Sequence, residues 1–397
     1  MKERLSSRAQ QISPSVTLAI DSKAKQMVSQ GVDVISFGVG EPDFDTPKHI
    51  RDAGIEAIET GFTRYTAAAG INDLKAAICA KLERDNGLTY TPDQIVVSNG
   101  AKHSLYNALM VLAQEGDEVI IPTPYWVSYS EMVKMTGATP VFIETKEEED
   151  FKLQVADLEA AINDKTKVLM LNSPSNPTGM VYTKEELTAI GQVCLKHNLF
   201  VVTDEIYEKL VYDGTEHHSI AKLVPELKDQ VVLINGMSKA YAMTGWRIGY
   251  TASHAAVAKA MGSMQSHATS NPNSIAQKAS VAGLNGPEEP IKAMVAEFSK
   301  RRDFMVERVN QIKGLSCRKP QGAFYVMANV QQLYGKTIGG EVIKDDLQFA
   351  GLVLEKAHVA IVPGAAFGSP GFVRLSYATS MEKIKEGLDR LDQFING

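Results

Sequence analysis

Short apolar runs alternate with polar, helix-like stretches along the centre of the chain, from about residue 95 to residue 251. The apolar runs are rich in β-branched residues, which is typical of strands that are buried on both faces. We predict strands at 95–98, 119–121, 139–144, 167–171, 200–203, 231–234 and 248–251. Strands that alternate with helices in this way form a mostly parallel α/β sheet.

The pattern differs on both sides of this region. Upstream, it predicts helices at about 17–30, 48–60 and 71–86 and a short strand at 34–37. Downstream, it predicts helices at about 254–265, 274–284, 288–312, 345–357 and 381–395, and strands at 323–328, 359–362 and 372–376. We therefore expect a large domain over residues 51–290 and a smaller α+β domain over residues 291–397. Residues 1–50 are expected to pack near the small domain and the site described below.

Composition and charge exclude some classes of protein. Of the 397 residues, 44% are hydrophobic and 22% are charged, an ordinary globular balance. The net charge of −6 argues against nucleic acid or an anionic membrane as the main partner. Because the chain has no apolar run as long as a membrane span and no apolar segment at its N-terminus, we expect neither a membrane anchor nor a secretory signal.

The cysteines and histidines do not predict a metal centre. Cys79, Cys194 and Cys317 are widely separated and lack the spacing of metal ligands. Unpaired cysteines fit a reduced cytoplasm best. His217 and His218 lie in a polar turn, and we expect both side chains to be solvated.

Polar and aromatic residues follow the carboxyl ends of several predicted strands. These residues are Asn99 to Lys102, Trp126, Asn176, Asp204 and Lys239. In parallel α/β sheets, ligands bind beyond the carboxyl ends of the strands. We therefore expect these side chains to converge on one binding site.

Lys239 follows a buried strand and lies among small residues, so we expect its amine to be desolvated. Desolvation lowers the pKa of an amine and makes it a nucleophile toward carbonyl groups. Arg247 cannot lose its charge and suits an anion such as a phosphate. A second candidate anion site is the helix start at Asn99 to Lys102. The alternative for this stretch is a strand end with two solvated basic residues.

An amine, an acid, two anion-binding elements and an aromatic at one sheet edge suggest a phosphorylated aldehyde cofactor, pyridoxal phosphate. This cofactor needs a carboxylate that keeps its ring nitrogen protonated. Asp204 is the candidate, because an acid that ends an apolar strand is costly to bury without a partner. The alternatives are a helix N-cap for Asp204 and a core aromatic for Trp126.

Seven strings carry a resemblance to a known family. They are VGEPDF (39–44), TRYTAAAG (63–70), PTPYWVSY (122–129), NPTG (176–179), DEIYE (204–208), SKAYAMTGWRIGY (238–250) and VRLSYAT (373–379). Together they make the chain similar to the class I aminotransferases of the type I pyridoxal phosphate fold. The first three narrow the resemblance to the aspartate aminotransferases of bacilli and thermophilic bacteria. The resemblance spans essentially the whole chain.

The resemblance implies how pyridoxal phosphate is held. Lys239 bonds the cofactor aldehyde and later moves the proton of the substrate Cα. Asp204 binds the ring nitrogen, Trp126 stacks on the ring, and Asn176 and Tyr207 hold the ring 3′-oxygen. The residues around the phosphate are Ala101, Lys102, Ser238 and Arg247.

The resemblance also implies how substrate and partner are bound. Arg374 holds the α-carboxylate of an amino acid or 2-oxo acid in a bidentate pair, beside Asn176, Trp126 and the backbone of Gly40. Tyr65 reaches the phosphate of a neighbouring subunit, which makes a homodimer part of the site. The alternative for Arg374 is a strand arginine in a surface ion pair.

The implied reaction is a ping-pong transfer of the amino group from L-aspartate to 2-oxoglutarate, giving oxaloacetate and L-glutamate. No residue can be assigned to the substrate side chain. Two alternatives therefore stay open: an aminotransferase for aromatic, alanine or prephenate-type substrates, and a carbon–sulfur β-lyase on the same fold. A regulator that binds the cofactor without catalysis is a fourth, different class.

Overall fold

The computed structural model describes residues 4–397. Its strands are β1 (Ile35–Ser36), β2 (Ile95–Ser98), β3 (Glu118–Thr123), β4 (Thr139–Glu144), β5 (Thr166–Asn172), β6 (Phe200–Asp204), β7 (Val231–Gly236), β8 (Gly249–Ala252), β9 (Ser316–Cys317), β10 (Tyr325–Asn329), β11 (Thr337–Ile338), β12 (Glu341–Val342), β13 (Val359–Ala360), β14 (Val362–Pro363) and β15 (Phe372–Ser376). All seven strands predicted between residues 95 and 251 are confirmed.

The helices mostly follow the predicted stretches. They are α1 (Ser7–Gln11), α2 (Val16–Ser29), α3 (Lys48–Glu59), α4 (Asn72–Asn86), α5 (Ala101–Leu112), α6 (Ser128–Thr136), α7 (Val155–Ala161), α8 (Lys184–Lys196), α9 (Ile220–Leu223), α10 (Ala255–Ala268), α11 (Ser274–Asn285), α12 (Glu289–Gln311), α13 (Asp346–Leu352) and α14 (Met381–Asn396). Within residues 4–397, no helix combines the length and the apolar character that a membrane crossing requires.

The central sheet has seven strands in the order β2-β8-β7-β6-β5-β3-β4. Strands β7, β6, β5, β3 and β4 run parallel, whereas β8 is antiparallel to both β7 and β2. Strand β8 follows β7 through a turn without a crossover helix, and such a direct return produces an antiparallel pair. The predicted mostly parallel sheet is therefore confirmed. The exception is β8, which follows the turn that contains Lys239 and runs antiparallel to both of its neighbours.

A second, smaller sheet has the antiparallel order β14-β15-β10-β9, and β1 pairs with β13 beside it. The predicted strand at 359–362 is split, since β13 pairs with β1 and β14 pairs with β15. Helix α12 buries Met294, Phe298 and Met305 in the core under this sheet. We propose the domain boundary near residue 290 because α12 begins there.

The expectation that both histidines of the polar turn are solvated is wrong for His217. Its side chain is 7% exposed, and its Nε2 lies 3.1 Å from an Oε2 of Glu205. Glu205 is itself buried and also accepts a hydrogen bond from Ser219 at 2.8 Å. A buried carboxylate needs polar partners, and this need draws His217 into the interior.

Candidate active site

A cavity of about 430 Å³ opens at the carboxyl edge of the seven-stranded sheet. Its wall contains Lys239, Asp204, Tyr207, Asn176, Trp126, Ala101, Lys102, Ser238, Arg247, Gly40 and Arg374. The structure therefore brings together the predicted site residues except Tyr65, Asn99 and Gly100, which do not line this cavity. A cavity of this size with several convergent polar groups has the character of a small-molecule site.

Lys239 lies in the turn after β7, and its half-buried side chain lines the cavity. Its Nζ donates a hydrogen bond of 2.5 Å to the carbonyl oxygen of Gly40. Burial lowers the pKa of the amine to about 8, although the nearby carboxylate of Glu41 acts in the opposite direction. At pH 7 about a tenth of such an amine is uncharged, far more than of an ordinary lysine, and the uncharged form is the nucleophile.

Asp204 is the last residue of β6 and is 4% exposed. Its Oδ2 accepts a hydrogen bond of 2.7 Å from the hydroxyl of Tyr129, and its Oδ1 accepts one of 3.2 Å from the amide of Ile206. Burial raises the pKa of this carboxyl to about 6, although both hydrogen bonds favour the charged form. No helix begins at Asp204, so the N-cap alternative does not hold. A cationic ring nitrogen in the cavity would stabilise the carboxylate.

Arg374 lies in the middle of β15 and is 3% exposed. Its guanidinium donates to Asn176 Oδ1 at 2.9 Å and to the carbonyl oxygen of Gly38 at 2.9 Å. Its Nε is buried and has no hydrogen-bond partner among residues 4–397. The surface ion pair considered above is thus wrong for Arg374. A buried guanidinium with an unsatisfied donor fits an anionic ligand such as a carboxylate.

Tyr207 and Tyr325 line the cavity between Arg374 and the sheet edge. Their hydroxyls lie 3.0 Å apart in one hydrogen bond, and both rings are buried. The ring centroid of Tyr325 is 4.3 Å from the Arg374 guanidinium carbon. This contact supports the guanidinium from one face and leaves its edge available to a ligand.

The start of α5 lies directly against the side chain of Arg247. Gly100 has a φ of +86°, and a Cβ at this position would overlap Nη2 of Arg247. A Cβ on Gly249 would overlap the amide nitrogen of Ala101. Only glycine allows this close approach of a guanidinium to a helix N-terminus, where the first amides have no partner within the helix. The combination forms a cradle for an anion.

Lys102 and Trp126 form a second wall of the cavity. The Nζ of Lys102 lies 4.7 Å from the centroid of the indole ring. Trp126 is half-buried and packs edge-on against Tyr129, with ring centroids 5.4 Å apart. Because its ring borders the cavity, Trp126 is not simply an aromatic residue of the hydrophobic core, which was the alternative considered above. Burial, followed by the charge of Arg247, lowers the pKa of Lys102.

Tyr65 does not line the cavity of its own chain, and it is 90% exposed. Burial is the usual state of a large aromatic side chain in a folded protein. A tyrosine with this exposure is available for contact with a second subunit.

Sequence reasoning missed several residues of the cavity. Tyr129 holds Asp204 from helix α6, and its position in the string YWVSY gave no sign of that contact. Helix α2 and its N-cap residue supply further polar side chains to the cavity wall, namely Ser15, Thr17, Asp21 and Lys25. We expected residues 1–50 to pack near the site, but no local pattern in the sequence indicated which side chains of α2 border the cavity.

Comparisons with protein families, individual relatives and solved structures show which proteins this chain is similar to. The family model described as aminotransferase class I and II matches residues 32–391. An aspartate aminotransferase of Geobacillus stearothermophilus is 50% identical over 99% of both chains. An aspartate/prephenate aminotransferase of Cereibacter sphaeroides is 48% identical over 99% of both chains. The crystal structure of the aspartate aminotransferase from Rhizobium meliloti matches 99% of both chains at 46% identity, with a TM-score of 0.96.

Proposed function

Since the chain belongs to the class I and class II aminotransferase family, we propose that it transfers the amino group of L-aspartate to 2-oxoglutarate. The resemblance seen in the motifs and the expected fold are confirmed, and the protein is an aminotransferase. Oxaloacetate and L-glutamate are the products of the proposed reaction. The observation that carries it is one cavity that contains a desolvated amine, a buried carboxylate and a buried guanidinium with a free donor.

We propose pyridoxal phosphate as the cofactor, because the cavity offers a group for each of its parts. Asp204 would bind the ring nitrogen, Trp126 would cover one face, and Asn176 and Tyr207 would bind the 3′-oxygen. The phosphate would lie in the anion cradle formed by Ala101, Lys102, Ser238 and Arg247. When bound, the cofactor supplies a conjugated cationic ring that accepts the electrons of the substrate Cα–H bond.

Lys239 is the proposed base for the proton of the substrate Cα. General base catalysis is most effective when the pKa of the base lies near the working pH. Burial brings the pKa of Lys239 to about 8, which satisfies that condition. The same amine would hold the cofactor aldehyde before substrate arrives, so one residue serves binding and proton transfer.

Arg374 is the proposed binding group for the substrate α-carboxylate, which every amino acid substrate possesses. Its planar guanidinium can fix the carboxylate in two parallel hydrogen bonds. Asn176 already orients the guanidinium through its Oδ1. A fixed carboxylate sets the direction of the Cα–H bond relative to Lys239 and removes part of the entropic cost of reaction.

We further propose a homodimer in which Tyr65 completes the phosphate site of the partner subunit. Its 90% exposure and its absence from the cavity of its own chain support this arrangement. We keep the cytoplasm as the proposed compartment, because the three cysteines of the chain are all unpaired.

A second candidate is an aminotransferase that also accepts prephenate, as the name of the Cereibacter sphaeroides relative states for that protein. A panel of amino donors and acceptors distinguishes these candidates. The purified protein with added pyridoxal phosphate should convert L-aspartate and 2-oxoglutarate fastest, and prephenate should replace 2-oxoglutarate only weakly.

The panel should include cystathionine as a test of β-lyase chemistry. An aminotransferase releases one oxaloacetate per site from aspartate alone, whereas a lyase releases pyruvate and ammonia from cystathionine without an acceptor. Absence of turnover with aspartate, or turnover confined to cystathionine, would refute the proposed function.

A further inference from the structure

Residues 38–46, which we name the bracket loop, contact two cations of the cavity, Arg374 and Lys239, through backbone carbonyl groups. The carbonyl oxygen of Gly38 accepts from Nη2 of Arg374 at 2.9 Å. Two residues later, the carbonyl oxygen of Gly40 accepts from Nζ of Lys239 at 2.5 Å. One short segment of backbone therefore connects the amine on the large sheet to the guanidinium on the small sheet.

The bracket loop is attached to the turn that follows Lys239. The Oε2 of Glu41 accepts a hydrogen bond of 2.7 Å from the hydroxyl of Thr244. The hydroxyl of Thr46 donates to the carbonyl oxygen of Ala242 at 2.6 Å and accepts from Nε1 of Trp246 at 3.0 Å. These contacts connect the loop to the large sheet but not to α12.

A separate attachment joins the bracket loop to helix α12 at the small sheet. Nη1 of Arg301 donates to both carboxylate oxygens of Asp43, at 2.7 and 2.9 Å. The guanidinium of Arg301 lies 5.2 Å from the ring centroid of Phe44, and that ring packs edge-on against Phe298 at 5.4 Å. Nε of Arg301 donates to Glu297 at 3.0 Å, which fixes the guanidinium. The side chain of Arg301 is only 8% exposed, so these partners offset the cost of burying its charge.

We propose that the Asp43–Arg301 ion pair is a latch that holds the bracket loop and thereby sets the spacing between Arg374 and Lys239. Asp43 and Arg301 are positioning residues, since neither lines the cavity. The inference rests on the proposed function in one respect: it takes Arg374 as the group that binds the substrate carboxylate. Reaction rates respond steeply to such spacing, because misplacement by about 1 Å can cost about a hundredfold.

The latch predicts a specific kinetic change in R301M, which keeps the volume of the side chain but removes its charge. We expect kcat/KM for L-aspartate to fall about tenfold to a hundredfold. The affinity for pyridoxal phosphate should stay within twofold, because neither Asp43 nor Arg301 lines the cavity. R301K should recover part of kcat/KM, since it restores one charged hydrogen bond to Asp43.

R308M is the matched control, because Arg308 lies on the same helix and pairs with Asp389 and Asp392 on α14, away from the loop. It should leave kcat/KM within twofold of wild type. D43N tests the same latch from its more exposed side and covers the case in which R301M folds poorly. The double variant D43N/R301M should lose no more than the worse single variant, because the two residues act as one unit.

Hydrogen exchange of the cofactor-free protein tests the latch without any turnover. Backbone amides of residues 38–46 should exchange faster in R301M and D43N than in wild type, and at the wild-type rate in R308M. Unchanged exchange, or faster exchange with unchanged kcat/KM, would overturn the proposal. A wild-type protein that fails to convert aspartate would refute the proposed function alone, because the exchange result would still report on the latch.

Discussion

The cavity has two halves, and the effect of burial on the charge of a cation differs between them. On the large sheet, burial brings the pKa of Lys239 to about 8, within reach of physiological pH. On the small sheet, burial also lowers the pKa of Arg374, yet a guanidinium stays protonated under all ordinary conditions. This difference in charge behaviour determines which task each half can perform. A lysine that can lose its proton suits chemistry, whereas a permanent charge suits recognition of a carboxylate.

The two halves also differ in how they are built. Asp204 ends β6 and Lys239 lies in the turn after β7, and backbone hydrogen bonds fix the register of these adjacent parallel strands. Arg374 is on a strand too, but its position relative to Lys239 depends on the bracket loop and on α12. The two reactive groups thus lie at neighbouring strand ends of one sheet, and the recognition group is joined to them by a segment with few, separable contacts.

The largest expected effect is in the chemical half, with Lys239→Ala. Turnover should fall by about 10²–10⁴-fold from loss of the general base, and further because the variant also loses its bond to the cofactor. The visible absorbance of the bound cofactor should change at the same time, while the fold stays intact by circular dichroism. Lys278→Ala, which removes a surface pair with Asp73, is the control and should behave as wild type. Normal turnover in Lys239→Ala would exclude the proposed role of this residue.

The next effect is in the recognition half, with Arg374→Ala. We expect binding of the amino acid to weaken by about 2–5 kcal/mol, the cost of removing one partner of a desolvated charge pair. Cofactor affinity should change far less, which separates this half from the first. Kinetics with L-aspartate and with 2-oxoglutarate provide the measurement, since both substrates carry the α-carboxylate. Unchanged KM values for both would contradict the assignment.

The chemical half is far easier to predict from sequence than the recognition half. Apolar runs locate the strands, and because parallel strands end at one edge of a sheet, the sequence alone predicts that Asp204 and Lys239 meet there. Arg374 is found only through the string VRLSYAT, because its own strand looks like any antiparallel strand. The burial of Arg374 follows from the pairing of β15 with β10 and β14, which no local pattern reveals.

Contacts between distant segments account for what sequence reasoning missed. Tyr129 reaches Asp204 from a helix 75 positions earlier in the chain. Arg301 meets Asp43 across 258 positions, and adjacent Arg302 points elsewhere, to Asp213. The paired arginines are indistinguishable in the sequence, so only the packing of α12 determines which one reaches the bracket loop.

A third prediction concerns Asp204 and stability in the cofactor-free protein. Its pKa is raised from 3.8 to about 6, so the folded state binds the proton more tightly than the unfolded state. Asp204 therefore stabilises the fold below about pH 4 and loses that contribution as pH rises to about 6. The shift of about two units corresponds to about 3 kcal/mol. In Asp204→Asn this loss should be absent.

Urea unfolding of both cofactor-free proteins between pH 4 and pH 7 measures this effect. The free energy of unfolding of Asp204→Asn should rise relative to wild type across that interval, since the variant buries no charge. Other titrating groups are common to both proteins and cancel in the difference. A difference that does not vary with pH would mean that the cavity leaves Asp204 with an ordinary pKa, and the chemical half would then lack its buried acid.

The smallest expected effect belongs to Tyr65, which lies outside both halves of its own chain. Tyr65→Phe should weaken cofactor binding by about 1.5 kcal/mol, the contribution of one hydrogen bond to a charged phosphate. Mixing this variant with Lys239→Ala sharpens the test. If Tyr65 acts across the interface, a hybrid dimer has one site with both residues and one site with neither, so activity at low cofactor concentration should exceed that of either variant alone. If Tyr65 acted within its own chain, no hybrid site would be complete and mixing would restore nothing.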